Sequence, residues 1–207
     1  MFDKQRIIVY VDGFNFYYGL KNLRWKKYYW LDIVKFFESF MMPQQELVAV
    51  KYFSARPLDF EKSKRQDTFF QANQENTKFK LILGKYLKKE IECFKCHNMI
   101  HTFEEKESDV RIATQVVADA YQKNCDLSII VSADSDLIPA IELVQKINHN
   151  FFIYFPPNQH SSLLSTMGKS KPIRLQKYET RFKRALLPET VTLKSSGFTI
   201  SKPQEWR

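Results

Sequence analysis

Leu127-Ser128-Ile129-Ile130-Val131-Ser132-Ala133-Asp134-Ser135-Asp136 joins an apolar, β-branched run to a pair of carboxylates. The run has the length and composition of a buried strand, so Asp134 and Asp136 stand just past the point where that strand stops. Near the other end of the chain, Ile7-Ile8-Val9-Tyr10-Val11 leads into Asp12-Gly13-Phe14-Asn15, and an acidic residue again closes a β-branched strand. In open α/β sheets, ligands sit in the crevice beyond the carboxyl ends of the strands. Two acidic strand ends in such a sheet imply a site for a divalent metal ion.

Outward from these two strands the hydrophobic period alternates between strand-like and helical, which makes successive βα units rather than separate blocks. Strands are expected over 6–11, 47–53, 79–83, 127–131 and 151–155, with a last edge strand beginning at Ile173. Helices are expected over 13–23, 31–40, 58–77, 109–123 and 137–147, with short ones near 161–167 and 181–187. Ile33, Val34, Phe36, Phe37 and Phe40 give the second helix an apolar face that Pro43 ends. Val110, Ala113, Val116, Val117 and Ala120 stripe the fourth, with Ser108 or Asp109 as its cap. Residues 86–104 break the rhythm as a hairpin excursion around Cys93, Cys96, His97 and His101. The expected fold class is α/β: a three-layer α/β/α (Rossmann-like) domain over 1–187 on a mainly parallel sheet, with a polar extension over 188–207.

With 207 residues, 44% of them hydrophobic, the chain can bury a full core; surface scaling gives roughly 10,000 Å² folded against about 36,000 Å² unfolded. No apolar stretch approaches the ~18 residues that span a bilayer. The charged start Met1-Phe2-Asp3-Lys4-Gln5-Arg6 enters a strand without the apolar segment of a signal peptide. A soluble, cytoplasmic protein with no membrane partner is expected, and three cysteines fit reduced thiols better than a disulfide framework. The formal charge of +9 puts a polyanion among the partners. Trp25, Tyr28, Tyr29 and Trp30 interleave with Arg24, Lys26 and Lys27, a pattern in which bases stack on rings while cations hold phosphates. Tyr29 and Trp30 read equally well as the core side of the next helix.

Asp12, Asp109, Asp134 and Asp136 are the candidate metal-ligating and catalytic carboxylates. Mg²⁺ is a hard ion that keeps several waters and takes a few carboxylates plus substrate oxygens. At such a site it polarises a phosphoryl oxygen and lowers the pKa of a bound water, which is what phosphodiester cleavage needs. Each acid also has a plainer reading alone, Asp109 as an N-cap and Asp134 as the cap of the helix that follows. Phosphates would be held by cations near the cleft, with Lys21, Arg24, Lys26 and Arg111 as candidates. Of these, Arg111 ranks last, since two residues of helix separate it from Asp109 and turn it away.

Val11-Asp12-Gly13-Phe14-Asn15 resembles the opening Asp-x-x-Asn motif of NYN-domain proteins, which are PIN-like nucleases. Glu105-Lys106-Glu107-Ser108-Asp109-Val110 is similar to that family's Glu-Lys-x-x-Asp-Val segment, and Ser132-Ala133-Asp134-Ser135-Asp136-Leu137-Ile138-Pro139 to its Ser-Gly-Asp-Ser-Asp-Phe-x-Pro motif. The resemblance runs from about residue 6 to 175, with the motifs in the family's order. It implies a PIN-like parallel sheet and a divalent-metal-dependent ribonuclease using Mg²⁺ or Mn²⁺, with RNA as partner. Asp12, Asp109, Asp134 and Asp136 would be its carboxylates, and Asn15 and Ser132 would orient waters or metal ligands. Ala133 stands where the family usually has Gly, and Leu137 where it often has Phe.

Cys93-Phe94-Lys95-Cys96-His97 has the spacing of a c-type haem attachment site, but that chemistry belongs to exported proteins. Cys93, Cys96 and His101, with His97 nearby, carry the donors of a structural Zn²⁺ knuckle; a lone Cys-x-x-Cys without a second pair favours a metal-free hairpin instead. Cys125 reads as a small buried hydrophobe. No Gly-x-x-x-x-Gly-Lys loop or Gly-x-Gly-x-x-Gly fingerprint is present, and Tyr10 occupies the place of the first Asp in an aspartyl phosphatase motif. The rival to a ribonuclease is a non-catalytic RNA-binding or regulatory protein on the same fold, since fold does not fix activity.

Overall fold

Every residue from Ile7 to Val11 is buried, Ile7, Val9 and Val11 against one apolar cluster and Ile8 and Tyr10 against another. A strand covered on both faces needs no polar alternation, which explains the continuous apolar runs that open and close the sequence motifs. The structure, a computed structural model, describes residues 3–168 and 170–207, and for residues 100–105 the backbone alone. The chain begins with β1 (Gln5–Asp12), α1 (Gly13–Asn22), α2 (Ile33–Glu38), β2 (Gln45–Ser54), α3 (Phe60–Gln74) and β3 (Phe79–Leu83). A hairpin of β4 (Lys85–Glu92) and β5 (Met99–Lys106) follows, then α4 (Ser108–Tyr121), β6 (Leu127–Val131), α5 (Ile138–Lys146), β7 (Asn150–Phe155) and β8 (Ile173–Arg174). The chain closes with α6 (Glu179–Arg184), β9 (Thr190–Thr192) and β10 (Thr199–Ser201).

Six of these strands form one parallel sheet in the order β3-β2-β1-β6-β7-β8. The chain builds outward from β1 to β3, then returns to the other side of β1 and builds outward again, so the order reverses between β1 and β6. One face carries Phe16 and Leu20 of α1, Ile33, Val34, Phe36 and Phe37 of α2, Phe69 and Phe70 of α3 and Phe182 of α6; the other carries Ile112, Val116 and Ala120 of α4 with Ile141 and Val144 of α5. The expected three-layer α/β fold is what forms. Asp12, Asp32 and Asp59 start α1, α2 and α3 by accepting the N–H of the residue three positions on, at 2.8–2.9 Å.

Several local expectations change. The second helix spans only Ile33–Glu38, because Asp32 caps it and Leu31 bridges to Leu186. Neither Ser108 nor Asp109 caps α4: Glu107 does so at a left-handed φ of 79°, and its carboxylate pairs with Arg111 at 2.7 Å. Asp134 caps a single 3-10 turn, Ser135–Leu137, that precedes α5. The stretch near 161–167 is a 3-10 turn at Leu164–Thr166, and the late helix lies at Glu179–Arg184. The polar extension folds into the antiparallel pair β9–β10, whose Val191 and Ile200 pack on the core together with Trp206. Its strands are three residues each, too short for a readable alternation.

A buried polar knot fixes α4 against the sheet. The Asp119 carboxylate accepts from Tyr10 Oη at 2.8 Å, Lys51 Nζ at 2.5 Å and Asn124 Nδ2 at 2.9 Å. Burial pushes the Tyr10 phenol far above its ordinary range, helped by the neighbouring Cys125 and Asp119, so it remains a donor. Asp119→Ala would leave the Lys51 ammonium and the Tyr10 hydroxyl without their shared partner. It is expected to cost about 3–5 kcal/mol in urea unfolding, with much of the loss recovered by adding Lys51→Met.

Candidate active site

Asp12 ends β1 and Ser132 follows β6, so the two meet where the strand order reverses. At that point the loops leaving adjacent strands diverge and open a crevice. Asp12 is buried there at 3% exposure, and its carboxylate is satisfied by its neighbours. Oδ1 accepts Asn15 N at 2.9 Å; Oδ2 accepts Asn15 Nδ2 at 2.5 Å and Ser132 Oγ at 2.9 Å. Asn15 Oδ1 accepts Ala133 N at 3.4 Å, and Ser132 Oγ accepts Asp134 N at 3.0 Å. Asp134 Oδ1 in turn accepts Asp136 N at 2.9 Å. One lattice of side chains thus ties the end of β1 to the end of β6 and carries Asp134 beside Asp12. Ala133 is not among the residues at positive φ, so its methyl group fits where the family has Gly.

Burial holds the Asp12 carboxyl up at about 6 from an ordinary 3.8, and the charge of Asp134 adds to the rise against the hydrogen bonds of Asn15 and Ser132. Gly13 is required at this corner: a Cβ there would lie 2.5 Å from Phe53 O and 2.6 Å from the Tyr52 ring. α1 therefore starts directly against the end of β2.

The structure brings Asp12, Asn15, Ser132 and Asp134 together; Asp136 is exposed on the adjoining turn. Asp109, half-buried, lies on the stripe of α4 that holds Ile112 and Val116. Ten helical residues, about 15 Å, separate it from Asp119, which touches Tyr10 in the middle of β1. Two strand residues, about 7 Å, separate Tyr10 from Asp12. Asp109 is thus carried toward the carboxyl edge of the sheet, the edge at which Asp12 stands, and α4 also meets the turn Ser135–Leu137 there. Among the described residues, no three Asp, Glu, His or Cys side chains stand close enough to share an ion.

The donor set still suits a hard cation. Asp12 and Asp134 offer oxygen ligands only, Asp134 reaches the crevice half-exposed, and Mg²⁺ commonly takes one or two carboxylates with waters and substrate oxygens.

A cavity of about 420 Å³ opens next to Gly13 and Phe14. Of the cations proposed from sequence, Lys21 and Lys26 line it, whereas Arg24 does not and Arg111 is engaged by Glu107. Lys62, Arg65 and Trp206 line it as well and were not anticipated. For the two cations the signal was the spacing Lys62, Arg65, Gln66, Phe69 on one face of an otherwise polar helix. Tyr28 and Trp30 went into the core, while Tyr29 faces this cavity.

At the hairpin tip, Cys93 N donates to Asn98 O and His97 N to Cys93 O. The C-terminal hairpin makes the same pair of bonds through Leu193, Gly197 and Phe198, so no metal is required to shape this turn. Backbone N–H groups of Lys95 and Cys96 lower the Cys93 thiol. The His101 side chain lies outside the described residues. No described helix is long and apolar enough to cross a membrane.

A reversed parallel sheet with a carboxylate lattice at the reversal is an α/β fold of the Rossmann-like kind with an acidic site at its switch point. The family model of the NYN domain matches residues 6–169, and the chain belongs to that family, within the PIN-like nuclease superfamily. It is 27% identical to the 6-hydroxy-3-succinoylpyridine 3-monooxygenase HspA of Pseudomonas putida, over 68% of this chain and 55% of that protein. The chain therefore spans about half the length of that relative. A crystal structure of a protein of unknown function from Vibrio parahaemolyticus shares the fold, with a TM-score of 0.56, 21% identity, and coverage of 82% of this chain and 92% of that one.

The Asp12 geometry predicts a pH dependence of stability in chelator. Its folded value of about 6 lies above the ordinary 3.8, so the native state holds a proton that the unfolded chain has released. This contribution to stability is greatest below pH 4, is lost as pH rises to about 6, and stays constant above that. The full swing is on the order of 3 kcal/mol, read from urea unfolding of wild type against Asp12→Asn, which lacks the titration.

Proposed function

We propose that this chain is a divalent-metal-dependent ribonuclease whose site is the acidic lattice at the reversal of the sheet. The observation that carries the reading is the hydrogen-bonded set Asp12–Asn15–Ser132–Asp134, which fixes one buried and one half-exposed carboxylate side by side at the mouth of the crevice. Membership of a family of nucleases supports hydrolysis of a phosphodiester, and the formal charge of +9 supports a polyanionic substrate.

In this reading Asp12 and Asp134 would hold Mg²⁺ or Mn²⁺, with Asp136 and Asp109 as the further carboxylates of the site. When bound, the ion polarises the scissile phosphoryl group and supplies a water of lowered pKa. Asn15 and Ser132 fix the Asp12 carboxylate, so that little reorganisation accompanies binding, and Ser132 also sets the backbone of Asp134. Lys21 and Lys26 lie on the substrate side and neutralise phosphates flanking the bond that is cut.

Purified protein with Mn²⁺ is expected to cleave a labelled RNA, with chelator abolishing the reaction. Asp134→Asn keeps the size of the side chain and removes its charge; it should lower cleavage about 100-fold or more while leaving the circular dichroism spectrum and RNA affinity close to wild type. RNA binding without metal-dependent cleavage by wild type would establish the non-catalytic alternative instead.

A further inference from the structure

The cavity beside Asp12 is lined by aromatic rings. Tyr17 meets Tyr29 at 5.1 Å with their planes tilted by 50°, and Tyr29 meets Trp206 at 5.9 Å nearly perpendicular. None of these three rings is stacked parallel on another, and Tyr17 also meets Tyr18 edge-on at 5.4 Å. Tyr17 is 40% exposed at this wall. Phe14 and Tyr86, also in the lining, meet edge-on at 6.2 Å. The volume of about 420 Å³ lies within the range of small-ligand sites.

The rim is basic. Lys21, Lys26, Lys62 and Arg65 line the cavity against a single carboxylate, Glu205, which Arg65 binds at 2.9 Å. Among the described residues, Lys21, Lys26 and Lys62 have no carboxylate within ion-pair distance; Lys21 rests over the Tyr18 ring and Lys26 helps the Glu205 backbone N–H hold that residue's carboxyl down. A ligand matched to an aromatic wall with an exposed tyrosine inside a cationic rim is a planar ring carrying an anion. The cavity begins at Gly13 and Phe14, the residues immediately after Asp12, and Tyr52 at its inner wall senses the charge of Asp12.

We propose that this cavity is a subsite that receives an unpaired base of the RNA beside the phosphodiester that is cut, with Tyr17 as its stacking wall and Lys62 on its rim. The inference rests on the nuclease reading of the adjacent carboxylates. A duplex keeps its bases stacked within the helix, whereas an unpaired base can leave the strand and stack on a ring while the rim cations hold its flanking phosphates.

The test is the affinity of a labelled single-stranded oligoribonucleotide in chelator, where no cleavage occurs, with Mn²⁺-dependent cleavage of the same RNA measured in parallel. Tyr17→Leu is expected to weaken binding about 10-fold and to raise KM more than it lowers kcat, and Tyr17→Phe, which keeps the ring, to bind as wild type. Lys62→Gln provides a second route that leaves the aromatic wall intact, and is expected to reduce the salt slope of binding by about 1. The corresponding duplex should bind with no dependence on Tyr17. Unchanged affinity in both Tyr17→Leu and Lys62→Gln, with cleavage present in wild type, would overturn the base pocket and leave the nuclease site standing. Failure of wild type to bind or cleave RNA, together with quenching of tryptophan fluorescence by nicotinate that Tyr17→Leu abolishes, would assign the cavity to a free aromatic acid and overturn both readings.

Discussion

A carboxylate buried at the end of a strand has to be satisfied, and the way Asp12 is satisfied organises the whole functional edge of this protein. Its two oxygens accept from Asn15 and Ser132, which couples the first turn of α1 to the end of β6 across the gap between diverging loops. The same Ser132 hydroxyl then accepts the N–H of Asp134, so the second carboxylate is placed by the device that holds the first. The Asp12 side chain also serves as the helix cap of α1, and Gly13 admits the close approach to Phe53 and Tyr52 that this entry demands. Fold and site are therefore the same set of bonds seen from two sides.

A second buried acid, Asp119, governs the opposite layer. It fastens α4 to Tyr10 and Lys51 in the middle of the sheet, and because a helix is rigid over this length, the anchor sets the height at which Asp109 arrives. The left-handed residue Glu107 and its pair with Arg111 fix the other end of the same helix where it leaves the hairpin. Asp109 thus owes its position to contacts about three turns away as well as to its own motif.

The parallel strands and the acidic strand ends were legible because burial on both faces erases alternation and leaves short apolar runs with a carboxylate at the stop. Asn15 and Ser132 were legible only through their motifs; that they share Asp12 is a tertiary fact, fixed by β1 and β6 becoming neighbours although Asp12 and Ser132 are 120 residues apart. Asp119 gave no signal, since an acid in a helical stripe reads as solvated until Lys51 and Tyr10 are placed beneath it. The cap of α4 was misread for a related reason: Glu107 adopts a left-handed conformation that a side chain rarely takes without fixed surroundings. Trp206 lay in a stretch with too little periodicity to suggest that it returns to the core, yet it forms one wall of the cavity beside the site.

These features support the proposal of a hard-cation site at the switch point of an NYN-domain fold, with an aromatic and basic cavity alongside it. Oxygen donors, a buried carboxylate lacking a cationic side-chain partner among its hydrogen bonds, and a half-exposed second acid are what a cation with several retained waters requires. The most direct measurement is an anomalous difference map from crystals of the protein grown or soaked with Mn²⁺. A peak is expected at ligand distance from Asp12 and Asp134, at the carboxyl ends of β1 and β6. Mn²⁺ bound at saturation elsewhere, with that crevice empty, would contradict it.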